Sequence, residues 1–254
     1  MIELNGKRGL VIGIANLHSI AWGCAQSFRE VGAELAITYL NERAEPYVRP
    51  LAEQVGAPLI LPLDIADQNQ LEALFDRVEK TWGTLDFILH SIAFAPRDDL
   101  HGRVTDCSSQ GFLQAMDISC HSLMRIARLA EPLMKKGGSI LTVTFEGSER
   151  VVSQYHMMGP VKAALESSVR YLAAELGESG VRVNALSPGP ISTRAASGID
   201  NFDGLLSGYL DKSPLHRPLT LQDIGNFATF LVSDAARNVS GGIHFIDGGY
   251  QVVA

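Results

Sequence analysis

Seven short apolar runs, each bounded by Gly, Pro, Asn or Asp, alternate along this chain with longer stretches of helical period. Leu10–Ile14, Leu35–Tyr39, Leu59–Leu63, Phe87–His90, Ile140–Thr144, Val181–Leu186 and Ile243–Ile246 read as strands. Between them Ile20–Val31, Glu42–Val55, Gln70–Trp82, Ser109–Met134, Val161–Leu176 and Leu221–Ser233 carry apolar residues at helical spacing. Strands that are apolar on both faces and separated by helices form a parallel sheet covered on both sides. The expected fold is therefore α/β and doubly wound, with a seven-stranded parallel sheet. No charge run, Ser/Gly linker or internal repeat divides the 254 residues, which predicts one domain over 1–254.

Two stretches resist the alternation: Ala93–Ser108 after the fourth strand and Ser187–Pro218 after the sixth, both rich in Gly, Pro, Asp and Ser. Loops leaving the carboxyl ends of strands in open α/β sheets border the ligand crevice, so these are candidate substrate loops. Composition narrows the ligand. With 21 basic and 28 acidic residues the net charge is −7, which weighs against nucleic acid or an anionic membrane as the main partner. Cys24, Cys107 and Cys120 form no CxxC pair and no metal-ligand spacing with the seven His, so no metal is expected and a reducing cytosol fits. The N-terminus lacks a basic n-region and cleavage site, and no run approaches the ~18 apolar residues of a membrane span. The sequence thus predicts a soluble, cytoplasmic protein.

After the first strand, Gly13-Ile-Ala-Asn-Leu-His-Ser19-Ile20-Ala21 opens a helix. A glycine permits the tight turn, and free N–H groups at a helix N-terminus can hold a pyrophosphate. Ser19 stands at the N-cap, where its hydroxyl can satisfy an N–H or bind phosphate. The pattern is not GxGxxG: only Gly13 has the usual spacing, and an ordinary capped turn explains the segment equally well. At the end of the second strand, where NAD-preferring folds place an acid, stands neutral Leu40, followed by Glu42 and Arg43. Asp64 and Ile65 follow the third strand. Asp64 is placed either to accept from an adenine amine or to cap the helix beginning near Gln68.

Tyr155 and Lys162 are seven residues apart, two helical turns, so both can face one site. Pro160 belongs in a first helical turn, which starts the helix near Met157 and leaves Tyr155 at or before its N-terminus. An ammonium near a phenol lowers the phenol pKa and can donate to ribose hydroxyls. Such a pair beside a nicotinamide can stabilise an oxygen that becomes negative as hydride arrives. A buried tyrosine and a surface lysine with no shared chemistry is the competing interpretation of these two residues alone.

Taken in order, Gly13-x5-Ser19-Ile20-Ala21, Asp64, His90-Ser91-Ile92-Ala93-Phe94-Ala95-Pro96, Tyr155-x6-Lys162, Gly180-Val-Arg-Val-Asn-Ala-Leu-Ser187, Pro188-Gly-Pro-Ile-Ser-Thr-Arg-Ala-Ala-Ser-Gly198 and Asp247-Gly-Gly249 closely resemble the short-chain dehydrogenase/reductase superfamily. Within it the chain resembles the bacterial NAD(P)H-dependent enoyl-acyl-carrier-protein reductases, over essentially its whole length. The resemblance implies a Rossmann-type domain in which Gly13, Ser19 and Ile20 bind the pyrophosphate region, Leu40 borders the adenosine ribose, and Asp64 and Ile65 bind the adenine. It assigns Ser91, Ile92 and Ala93 to the nicotinamide-side ribose, with Lys162, and Ile191 and Thr193 to the nicotinamide and its phosphate. Ala95, Phe145 and Tyr155 would meet the substrate, and Ala195–Leu210 would fold over the acyl chain. The implied catalytic residues are Tyr155 and Lys162; the implied reaction is hydride transfer to the β-carbon of a trans-2-enoyl thioester carried by acyl-carrier protein or coenzyme A. Neutral Leu40 favours NADH over NADPH, and the resemblance suggests a homotetramer. An acidic carrier would need local positive charge, for which Arg194, Lys212 and Arg217 are the candidates.

One position departs from the family. Phe145 stands where these enzymes usually carry a second tyrosine, so a ring is kept and a hydroxyl lost; Glu146 beside it and His156 beside Tyr155 are also unusual. This points to a divergent paralogue with altered substrate choice or reduced activity on ordinary acyl-carrier substrates. Two other readings keep the fold: a short-chain carbonyl reductase or alcohol dehydrogenase acting on a 3-oxoacyl or other ketone substrate, and a dinucleotide-binding protein without turnover.

Overall fold

The computed structural model describes residues 2–193 and 202–253. They carry all seven expected strands, β1 (Arg8–Ile12), β2 (Glu34–Tyr39), β3 (Leu59–Pro62), β4 (Phe87–His90), β5 (Gly138–Val143), β6 (Val181–Pro188) and β7 (Ile243–Ile246). Every pairing is parallel and the order across the sheet is β3-β2-β1-β4-β5-β6-β7. The strand order reverses between β1 and β4, which opens a crevice outside their carboxyl ends.

Period-two alternation along the strands splits the core into two layers. Leu10, Ile12, Ile88, Ile140, Val183 and Ala185 face one side, which α3 (Gln68–Trp82), α6 (Ser122–Ala130) and α7 (Met158–Leu176) cover. Val11, Phe87, Leu89, Leu141 and Leu186 face the other, beneath α1 (Ile20–Glu30), α2 (Glu45–Gln54) and α9 (Leu221–Val232). Burial on both faces is why each strand reads as a continuous apolar run.

Several expected boundaries move, each for a local reason. The stretch read as one helix over Ser109–Met134 is α5 (Ser109–Met116), a π turn over Asp117–His121, α6, and a final 3₁₀ turn over Glu131–Leu133. Asn41 Oδ1 accepts from the Arg43 and Ala44 N–H groups, so α2 starts at Glu45 and not at Glu42. The loop over Ala93–Ser108 holds the short helix α4 (Arg97–Leu100), and the region read as a loop over Ser187–Pro218 holds α8 (Phe202–Lys212). Tyr209 explains α8: this side chain is 1% exposed, and its ring lies 5.4 Å from that of Tyr250. Of the segment expected to close over the acyl chain, residues 195–201 lie outside the described residues, as does Arg194.

Candidate active site

The crevice begins with a close approach of two backbones. Gly13 adopts φ +111°, and a Cβ there would lie 2.0 Å from the Ser91 carbonyl oxygen. Only glycine satisfies both conditions. The Ser91 N–H donates to the Ile12 carbonyl (2.9 Å), so the segments leaving β1 and β4 are joined where the sheet ends. Ser19 is the N-cap of α1 but does not cap it forward: its Oγ accepts from the Ala15 and Asn16 N–H groups at 3.0 and 3.1 Å. The hydroxyl closes the turn from Gly13 to α1 and leaves the Ile20 and Ala21 N–H groups to a ligand, while the Trp22 and Gly23 N–H groups donate to the Ser19 carbonyl.

On the other flank α7 docks its first turns onto the end of β5. Lys162 is 4% exposed and its Nζ donates to the Val143 carbonyl at 2.7 Å. One turn further on, Glu166 accepts from the Thr144 hydroxyl (2.6 Å) and from the Ser148 hydroxyl. Burial of the ammonium pulls the Lys162 pKa down to about 8, against the opposing pull of the Glu166 charge.

Tyr155 sits before α7, as the position of Pro160 implies, between two residues with positive φ, Gln154 (69°) and His156 (44°). Its ring is 9% exposed and packs with Ala95, Phe145, Met157, Met158 and Val161 in one apolar cluster. The Phe145 ring stands edge-on to it with centroids 4.9 Å apart. Among the described residues the Tyr155 hydroxyl has no hydrogen-bond partner. Its pKa is not lowered, as the sequence predicted, but raised, by burial and then by the Glu166 charge. Tyr155 is therefore a neutral phenol with a free donor, and His156 takes no part in its shift.

A hydroxyl donor in an apolar cluster, a buried ammonium two turns on, and a glycine-dependent turn at the switch point form the setting of a nicotinamide-dependent reductase. The family model described as enoyl-(acyl carrier protein) reductase matches residues 13–251. The chain belongs to the enoyl-acyl-carrier-protein reductase family. Among its relatives, enoyl-[acyl-carrier-protein] reductase [NADH] 2 of Rhizobium meliloti is 47% identical over 99% of this chain and 94% of its own length. The Anaplasma phagocytophilum enoyl-acyl-carrier-protein reductase, solved with NAD, superposes with a TM-score of 0.95 at 46% identity, covering 99% and 96% of the two chains. The Bacillus cereus enzyme, solved with NADP⁺ and an indole naphthyridinone, gives 0.97 at 45% identity, covering both chains fully.

The remaining expected residues of this reductase fold are placed as follows. Leu40 is 53% exposed at the end of β2, with Glu42 and Arg43 also exposed beside it. Asp64 is exposed and accepts from the Ala66 N–H in a local turn, while the cap of α3 is Asp67, whose Oδ1 accepts from Asn69 and Gln70. The capping alternative for Asp64 is thereby overturned. The Ile65 side chain is 4% exposed and belongs to the core, so only its backbone is left for a ligand. Ile92 is half-buried against the same core and Ala93 is exposed. Ile191 packs on the opposite core layer, and Thr193 is half-buried. Lys212 and Arg217 are both exposed.

Glu146 is 7% exposed, and burial with the facing Asp247 carboxylate pushes its pKa up to about 7, opposed by Arg150. Asp247 itself holds the C-terminal turn, accepting from Gly249 and Gln251 N–H groups at 2.9 and 2.8 Å. Two residues escaped the sequence reading: Glu166, whose signal was its position one turn after Lys162, and Gly147, which only geometry exposes. A Cβ on Gly147 would meet the Tyr155 ring at 2.4 Å. Gly147→Ala is expected to displace that ring and lower kcat roughly ten- to hundredfold, since an ångström of misplacement can cost that much. NADH affinity should stay within about twofold, and steady-state kinetics with a binding titration checks both.

Proposed function

We propose that this chain is an NADH-dependent enoyl-acyl-carrier-protein reductase, a single domain over 1–254 whose segment 187–218 receives the acyl substrate. The observation that carries this reading is the free, neutral Tyr155 donor set beside Ala95 and Phe145, in a chain that matches the family along nearly its whole length. The tight turn that Gly13 allows where β1 and β4 end, and the free Ile20 and Ala21 N–H groups at the start of α1, fit a dinucleotide pyrophosphate. Gly13, Ser19 and Ile20 would hold that end, Leu40, Asp64 and Ile65 the adenosine, and Ser91, Ile92, Ala93, Ile191 and Thr193 the nicotinamide side. Leu40 offers neither an acid for ribose hydroxyls nor a base for a 2′-phosphate; its neutrality and the NADH-dependent relatives support NADH.

NADH, when bound, supplies the hydride. Addition at the β-carbon of a trans-2-enoyl thioester drives the electron pair onto the carbonyl oxygen, and the Tyr155 hydroxyl donates to that oxygen. Because the phenol is buried, its donor is pre-aimed and needs no water to reorganise as charge develops. Lys162, anchored on the Val143 carbonyl, places its ammonium for ribose hydroxyls and adds positive potential next to the developing enolate. Protonation at the α-carbon completes the saturated thioester. The acidic carrier would be met by Lys212, Arg217 and Arg194, and the protein works in the cytoplasm as a homotetramer.

Purified protein given NADH should reduce a trans-2-enoyl thioester and leave a 3-oxoacyl thioester untouched; the reverse preference would make it a carbonyl reductase, and binding without turnover a dinucleotide-binding protein. Tyr155→Phe should cut kcat on the enoyl substrate by about 10²–10³, the cost of one oxyanion donor; an undiminished rate would remove Tyr155 from the mechanism. Phe145→Tyr restores a hydroxyl at the thioester end and should change kcat/KM by up to about tenfold, the worth of one hydrogen bond. An unchanged rate and chain-length preference would end the view that Phe145 marks an altered substrate.

A further inference from the structure

His90, the last residue of β4, is fully buried and lies outside the set of residues assigned to ligand or chemistry. Its Nδ1 is 2.8 Å from the Thr142 hydroxyl of β5, and its Nε2 is 2.8 Å from the Ser122 hydroxyl at the start of α6. The proton inventory of this chain of contacts has one solution. Ser122 Oγ donates its single proton to the Ile118 carbonyl at 2.6 Å, so toward His90 it can only accept. Nε2 therefore carries the ring proton, and Nδ1 accepts from Thr142.

Both ends of the following loop grip the same π turn. While His90 reaches Ser122 and, through it, Ile118, the Ser119 hydroxyl accepts from the Phe94 N–H and donates to the Phe94 carbonyl, both at 2.9 Å. Ser119 is fully buried, and its one donor and one of its acceptor sites are thus committed to one residue of the loop. The extra residue of a π turn is what presents Ile118, Ser119 and Ser122 toward β4 together; a regular helix over Ser109–Met134 would space them differently.

We propose that His90, fixed as its Nε2–H tautomer, is a positioning residue that locks the π turn to the sheet and so sets where Ser91, Ile92 and Ala93 stand toward the nicotinamide side of the cofactor. This rests on the reductase reading for the identity of the ligand. Burial and the facing Lys162 ammonium hold the His90 pKa down to about 3, so the ring stays neutral in working conditions. Lys162 is the charged group that acts on it from the elements packed around it.

The test has two parts. Nitrogen NMR of protein labelled at its histidine ring nitrogens, with His90 assigned by a His90→Asn variant, should show a protonated Nε2 and a bare Nδ1. The Nδ1–H tautomer, or a ring that titrates near neutral pH, would overturn the proposal. Ser122→Ala removes the acceptor from Nε2–H and should weaken NADH binding about tenfold, as one buried hydrogen bond is worth, with kcat changed less than about twofold. A variant that loses thermal stability but binds NADH like the parent would show a structural role only and contradict it. If Ser122→Ala does not fold, the tautomer of the parent protein still decides. Reduction of the enoyl thioester by the parent protein tests the reductase reading separately.

Discussion

The site is organised around one buried ammonium. Lys162 gives up almost all its hydration on entering the seam between α7 and β5, a cost met by the Val143 carbonyl and by the Glu166 charge a turn away. Its neighbours then follow. Burial first, and then the ammonium, keeps His90 neutral, while burial first, and then the Glu166 charge, discourages ionisation of Tyr155. A neutral histidine can lock a loop, and a neutral phenol can donate.

Backbone geometry supplies the complementary half. The absence of a side chain at Gly13 lets the ends of β1 and β4 meet, and its absence at Gly147 lets the Tyr155 ring seat against the turn after β5. Between these two contacts the loop Ser91–Ala95 is held at both ends, by Ile12 and His90 at its start and by Ser119 at Phe94. Rigid placement of this loop matters because a wall already ordered before the cofactor arrives spends less binding energy on its own ordering.

The sheet was legible because each strand is buried on both faces and so advertises itself as an unbroken apolar run. Tyr155 and Lys162 were legible through spacing, and Pro160 located the helix start between them. What stayed hidden were consequences of tertiary contact. Helix α8 is secured by burial of Tyr209 against Tyr250, a contact across some forty residues that periodicity does not report. Asp64 and Asp67 are equivalent as caps until the start of α3 is fixed, and which N–H groups Ser19 satisfies is decided by Ala15 and Asn16 folding back onto it. The Tyr155 shift took the opposite sign because sequence places charges along a chain but gives no burial; desolvation raises the phenol pKa and the Glu166 charge adds to it.

These electrostatics make the protonation state of two residues the central claim: an ammonium at Lys162 and an un-ionised phenol at Tyr155. The dependence of kcat/KM on pH with a trans-2-enoyl thioester and saturating NADH reads both at once. Activity should be lost as pH rises, through a single midpoint near 8 that belongs to Lys162. A profile that instead climbs through that range, as a reactive phenolate forms, would contradict the account.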